Sequence, residues 1–282
     1  MTDLSACAAM HTQLLIIDPQ NDFCDLPRDC CPPALGPSLP VAGAHADMQR
    51  LARWMQRESA RLDAVTVTLD SHQRYDIAHP SFWQQADGSA PPPFTPIAAA
   101  QVRAGQWLPR DGAALARTLR YLDALEAQGR YTHMVWPVHC EVGGWGHGVH
   151  ADVLAACGHW QQQRQRAVYN VFKGLNPWTE HYSALQAEVP DLADPATLLN
   201  AALLARLDQA QLLIIAGEAS SHCVRATVEH LVQHLPHGQC ERLVLLHDAM
   251  SPVAGFEAVH QEFLDAMRAR GLRLQSCDDL RL

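Results

Sequence analysis

Residues 211–235, QLLIIAGEASSHCVRATVEHLVQHL, change their apolar period within a few positions, and that change constrains the fold more than any other feature of the chain. Residues 212–216 form an unbroken apolar run closed by Gly217, the pattern of a strand covered on both faces. Val224, Val228, Leu231, Val232 and Leu235 then recur at helical spacing, which turns Arg225, Glu229 and Gln233 toward water. Ser220 and Ser221 stand where N-cap residues are expected. Cys223 therefore falls in the first turn of a helix, at the carboxyl end of a strand. Free backbone N–H groups and the positive end of the helix dipole favour a thiolate there. Such a cysteine is a candidate nucleophile; the competing reading is a small hydrophobe that begins a helix.

The same alternation runs along most of the chain. Residues 13–17 read as a buried strand ending in Asp18, residues 64–69 as one ending in Asp70, and residues 167–172 as one ending in Lys173. Shorter strands are expected at 132–136, 242–246 and 272–275. Met48, Leu51, Trp54 and Met55 mark a helical face, and helices are expected at 112–127, 149–163, 195–208 and 256–270. Strand and helix in alternation indicate an α/β fold, a mostly parallel sheet with helices on both faces. Ligands of such sheets bind outside the carboxyl ends of the strands. Asp18, Asp70, Lys173 and Cys223 would then share one edge. Lys173 is the sole lysine beside twenty arginines, so its place suggests a site that needs a compact, mobile ammonium rather than a planar fork.

Composition narrows the partners. A net charge of −9 with no basic run argues against nucleic acid, and no apolar stretch is long enough for a membrane span. The first thirteen residues lack the basic region and long apolar run of a signal peptide. Nine cysteines, odd in number, scattered and without a CxxC pair, suggest free thiols and a cytoplasmic chain rather than a disulfide framework. Cys30 and Cys31 are adjacent, where a mutual disulfide is strained. One domain is expected over residues 1–282, with a loop and helix insertion at about 79–130.

Two constellations carry chemistry. Cys223, Asp18 and Lys173 make a workable amide-hydrolysing set: a carboxylate to take the thiol proton, and an ammonium to favour thiolate and oxyanion. His222 is a competing base, but neighbours at a helix start point in different directions. Asp70 and His72 project to one side of an extended segment, and with His139 they suit Zn, Fe or Mn with positions left open. His79, His147 and His150 are rival ligands, read here as loop or helix-surface histidines.

With these residues in place, the chain resembles the nicotinamidase branch of the isochorismatase-like cysteine hydrolases. The resemblance rests on DPQNDF at 18–23, DSH at 70–72, WPVHC at 136–140, KG at 173–174 and GEASSHCVRAT at 217–227, in family order and across nearly the whole chain. It implies a six-stranded parallel sheet in a three-layer sandwich, usually in a homo-oligomer. It implies that Asp18, Lys173 and Cys223 are catalytic and that Asp70, His72 and His139 bind a divalent metal, with Zn ahead of Fe or Mn. The oxyanion hole would be the N–H groups of Ala219 and Cys223, beside a non-proline cis peptide at Glu218–Ala219. Phe23 and Trp136 would pack on a flat heteroaromatic ring. The implied reaction is hydrolysis of a small carboxamide, first of all nicotinamide to nicotinic acid and ammonia. Another small amide, a carbamoyl compound or a ureide is the alternative substrate, and a non-catalytic binding relative the alternative class. Glu218 departs from the family's apolar residue, as do SSH at 220–222 and EVGG at 141–144 from the usual runs. The insertion exceeds that of compact relatives and would form a lid or a subunit contact.

Overall fold

The computed structural model describes residues 11–235 and 239–282; residues 1–10, most of the segment read for a signal peptide, lie outside them. In chain order the elements are β1 (Thr12–Ile17), α1 (Ala44–Glu58), β2 (Ala64–Asp70), β3 (Trp83–Gln84), β4 (Thr95–Ile97), α2 (Ala99–Arg103), β5 (Leu108–Pro109), α3 (Leu115–Gln128), β6 (His133–Val135) and α4 (Ala151–Arg164). They continue with β7 (Tyr169–Lys173), α5 (Ala201–Asp208), β8 (Leu212–Gly217), α6 (Cys223–His234), β9 (Leu243–Leu246), α7 (Glu257–Ala269) and β10 (Arg273–Gln275).

Six strands form one sheet in the order β10-β9-β8-β1-β2-β7, and every pairing is parallel. β1, β8 and β9 are buried along their whole length, as their unbroken apolar runs require. From β1 the chain steps outward to β2 and β7, then returns to lay β8 against the other side of β1. Right-handed crossovers therefore place α1 and α4 on one face and α5, α6 and α7 on the other. The strand order reverses between β1 and β8, and the crevice at such a switch point is where an open parallel sheet can accept a ligand.

Apolar stripes fasten the helices. Met48, Leu51, Trp54 and Met55 of α1 and Val153, Ala156, Cys157 and Trp160 of α4 are buried. The indole N–H groups of Trp54 and Trp160 donate to the Leu280 and Leu62 carbonyls at 3.0 and 3.1 Å, so neither ring carries an orphan donor into the core. Among the described residues all eight cysteines are free, Cys30 and Cys31 included, and no helix is long and apolar enough to cross a membrane.

Two expected elements differ. Residues 132–136 do contain a strand, but β6 pairs antiparallel with β4 and stays out of the main sheet. The helix expected from 195 begins only at Ala201. Asn200 caps it by accepting from the Leu203 N–H at 2.9 Å, and residues 195–197 form a separate short turn. The residues between His79 and Arg130 carry their own apolar cluster, with Phe82, Trp83, Ile97, Trp107, Leu122 and Leu125 at its centre. Arg130 ties this segment to α6 by pairing with Glu229 at 2.5 Å.

Gly217 ends β8 at a positive φ of 123°, and a Cβ there would strike the backbone of Ile17. The glycine thus allows β8 and β1 to stay paired up to the crevice. Gly217→Ala is expected to lower stability by at least about 3 kcal/mol in denaturant unfolding; an unchanged midpoint would contradict the close approach.

Candidate active site and metal centre

All strands of the main sheet run the same way, so their carboxyl ends gather at one edge. Asp18 follows β1, Asp70 closes β2, Lys173 closes β7, and Cys223 opens α6 after β8. All four side chains are buried. The Lys173 ammonium lies 3.0 Å from Asp18 Oδ2, 2.9 Å from Asp70 Oδ1, 2.9 Å from the His181 carbonyl and 3.5 Å from Cys223 Sγ. A compact ammonium donates to three of these in different directions while it pairs with the fourth, a non-planar set that a guanidinium plane does not match.

Asp18 sits at a positive φ of 44° as the chain turns off β1. The Thr68 hydroxyl fixes it twice, donating to Asp18 Oδ1 at 2.6 Å and accepting from the Asp18 N–H at 3.1 Å. Asp18 Oδ2 touches Lys173 without a well-angled hydrogen bond and so keeps an acceptor lone pair. The Cys223 thiol and this carboxylate act on each other electrostatically, and both lie within 3.5 Å of the Lys173 ammonium. Burial pushes Asp18 above the usual carboxylate range, with Lys173 opposing and Asp70 adding to the rise.

Burial also pushes the Cys223 thiol well up, more than Lys173 pulls it down. Burial thus opposes the thiolate that the position at a helix start favours. Ser220 and Ser221 do not cap α6: the N-cap is His222, with no side-chain cap bond. The serine hydroxyls are engaged elsewhere, Ser220 with His260 at 2.8 Å and Ser221 with His222 at 2.9 Å. The Glu218–Ala219 peptide is cis. Among the described residues neither the Ala219 nor the Cys223 N–H finds a backbone acceptor.

On the far side of Asp70 a second set converges. Asp70 Oδ2 lies 3.0 Å from His72 Nε2 and 3.4 Å from His139 Nε2. Each histidine is oriented through its other nitrogen: His72 Nδ1 contacts Asp76 Oδ2 at 2.9 Å, and His139 Nδ1 contacts the Pro137 carbonyl at 2.8 Å. Both Nε2 atoms thereby face the carboxylate, the arrangement of ligands held by outer-shell acceptors. Asp70, His72 and His139 can hold a metal ion between them. Burial opposes the ionised form of Asp70, but His72 and Lys173 together keep its carboxyl well below the usual range.

Phe23, Trp136, His139, Ala219 and Cys223 line one small cavity, of about 30 Å³, that reaches Asp70. The Phe23 ring is 5.5 Å from that of His139, and the Trp136 indole donates to the Tyr182 hydroxyl at 3.2 Å. Tyr182 and Glu180 also line the cavity without any sequence signal, and His222, weighed in the sequence as a competing base, is part of its wall. Tyr182 and His222 meet Trp136 edge-on, at 6.5 and 5.2 Å. Glu180 presents Oε2 without a partner, and burial, helped by Asp70 and Asp76, pushes it up to about 7. His222 is an aromatic wall, pushed down to about 4 by burial, so it is neutral at physiological pH.

Of the rival histidines, His79 and His147 lie in loops as expected and His150 caps the start of α4, but none is freely exposed. His79 is fully buried, its ring tilted to that of His72 and edge-on to that of His139 with centroids 5.0 and 5.2 Å away. Burial, then His139 and His72, push it down to about 2. His150 is buried at the start of α4, where Nδ1 accepts from the Asp152 N–H and Nε2 lies 2.8 Å from His45. His147 is half-buried and contacts the Ser71 hydroxyl.

No protein-family model matches the sequence, and no curated protein matches it. Solved structures do match over nearly the full length. An Acinetobacter baumanii nicotinamidase/pyrazinamidase is 17% identical with a TM-score of 0.61, covering 95% of this chain and 97% of its own. The yeast nicotinamidase Pnc1p, bound to the inhibitor nicotinaldehyde, is 18% identical with a TM-score of 0.63, covering 94% and 99%. A Pyrococcus horikoshii pyrazinamidase in complex with zinc is 17% identical with a TM-score of 0.52, covering 94% and 99%. The chain thus has the isochorismatase-like fold, at low sequence identity.

The buried ammonium makes a direct prediction. Lys173→Ala leaves two buried carboxylates facing each other and is expected to cost about 3–5 kcal/mol at neutral pH. Denaturant unfolding measures it; a loss below about 1 kcal/mol would mean that the ion cluster is not formed.

Proposed function

We propose that the chain is a metal-dependent cysteine amidohydrolase acting on a small, flat carboxamide, with nicotinamide the leading substrate and nicotinic acid and ammonia the products. One observation carries the reading: Lys173 touches Asp18, Asp70 and Cys223 at the edge of an aromatic-walled cavity. The solved relatives of the same fold, described as nicotinamidases and pyrazinamidases, favour the same substrate class.

In this mechanism Asp18 takes the proton from Cys223 as sulfur attacks the amide carbon. Lys173 offsets the negative charge that appears on sulfur. The oxyanion accepts from the N–H groups of Ala219 and Cys223, donors fixed before the reaction begins. Asp18 then returns the proton to nitrogen, the C–N bond breaks, and ammonia leaves a thioester on Cys223. Asp18 next takes a proton from water, which attacks the thioester carbon; the acid departs and the thiol is restored. Phe23, Trp136 and Tyr182 orient the ring and exclude bulk water. Asp70, His72 and His139 offer two imidazoles and one carboxylate, a donor set suited to Zn and also to Fe or Mn. Bound there, the ion supplies a Lewis acid for orienting the substrate.

Ammonia release from nicotinamide and a panel of small amides and ureides, by wild type and Cys223→Ala, tests the reading. Wild type is expected to turn over at least one carboxamide, and Cys223→Ala to lose at least about 10³-fold. Chelation should remove most of the activity, and a divalent ion should restore it. Equal rates for the two proteins would end the covalent mechanism. The acid limb of kcat/KM should also lie above the ordinary aspartate value of 3.8, because the base must be ionised and burial raises Asp18. Activity that persists undiminished to about pH 4 would remove Asp18 from the role of base.

A further inference from the structure

Glu218, the residue that departs from the family pattern, is fully buried immediately after β8, on the peptide whose N–H belongs to Ala219. Its Oε2 accepts from the Ser251 N–H at 3.1 Å. The Asp47 carboxyl, which reaches across from α1 and is itself 2% exposed, meets the same serine and acts on Glu218 electrostatically. Ser251 uses all three of its polar groups here. Besides its N–H, its hydroxyl donates to Asp47 Oδ2 at 2.5 Å, and its carbonyl accepts from the Ser220 N–H at 2.9 Å. An apolar side chain would fill this place without desolvating an acid. The reaction drawn above uses neither carboxyl.

We propose that Glu218, Asp47 and Ser251 form a positioning clamp that fixes the Glu218–Ala219 peptide, and with it the Ala219 N–H, relative to Cys223. The proposal rests on the reading of Cys223 as nucleophile. Backbone bonds from Gly217 to Ala249 and from Glu218 to Ile17 seat the start of this loop on neighbouring strands. The Glu218 side chain and Ser251 carry the connection on to α1, beside the bond from Arg50 of α1 to the Asp248 carbonyl at 2.7 Å. The clamp matters because an oxyanion donor displaced by about 1 Å loses much of its effect on the rate.

Two buried carboxyls that meet on one serine favour one proton shared between them over two bare charges. Burial raises Asp47 too, but Arg50 pairs with it from one turn further along α1, which favours the charge on Asp47 and the proton on Glu218. Asp25 and Cys24 face the pair from the loop after β1, and His260 of α7 contacts it only through Ser220. Burial first, then Asp47, push Glu218 well above the usual carboxylate range, Asp25 adding a smaller share. An acid raised in the fold stabilises it below the unfolded value of 4.5, and that stability is lost as pH rises toward the folded value.

The experiment compares wild type, Glu218→Gln and Glu218→Ala on the best amide of the panel, with Cys223→Ala alongside. Glutamine can donate to Asp47 and accept from the Ser251 N–H, so it should keep kcat within about threefold. Alanine should lower kcat by about tenfold or more with KM changed less than about threefold. A wild-type kcat in Glu218→Ala, or equal loss in the Gln and Ala variants, overturns the clamp. Retained activity in Cys223→Ala overturns the nucleophile reading instead. The carboxyl pair is read separately by Tm from about pH 5 to about pH 9, where wild type should lose stability relative to Glu218→Gln as pH rises. A constant difference between the two overturns the shared proton even if no amide is turned over.

Discussion

A single buried ammonium holds the working edge of this molecule together. Lys173, at the end of β7, is in reach of Asp18, Asp70 and Cys223, groups delivered by two other strands and a helix. A charge taken out of water is tolerated only when it is closely paired, and here the pairing is with two carboxylates rather than one. Asp70 is shared: one oxygen meets Lys173 and the other faces His72 and His139. The electrostatics of the thiol side and of the metal-ligand side are therefore linked through one side chain.

The sheet makes such a convergence possible. Parallel strands put every carboxyl end on one edge, and the reversal of order between β1 and β8 opens the crevice beside Asp18 and Cys223. Thr68 of β2 reaches under that crevice to hold Asp18, and Gln20 pairs with both backbone groups of Asp70 at 2.7 and 2.8 Å. The base and the shared carboxylate are thus seated on strands, not on free loops. Preorganisation of this kind lets a weak acid and a buried thiol exchange a proton without rearranging solvent.

Much of this was legible in the sequence because it is local. Apolar runs ending in Asp18, Asp70 and Lys173 mark strands and edge residues together, and an isolated lysine among arginines marks a special cation. The strand-to-helix change at 211–235 places Cys223 correctly from spacing alone. What was not legible is set by contacts across the chain. Nothing near Glu180 signals that its carboxyl will line the cavity, since a loop residue carries no period. His79 looks like one loop histidine among many until the fold buries it beside His72 and His139. The serines before Cys223 resemble caps, but their hydroxyls are engaged by His260 and His222, whose positions the local sequence does not encode. The upward push of burial on the thiol was likewise hidden, because burial is a property of the packed site.

The account stands on sulfur at position 223 becoming covalently acylated within this cluster. Rapid acid quench of the protein with a turned-over amide, followed by intact and peptide mass spectrometry, reads that directly. The predicted result is an acyl mass increment confined to the peptide that carries Cys223. Turnover with no adduct at any quench time, even in a variant slowed at the hydrolysis of the thioester, or an adduct on a different cysteine, would contradict it.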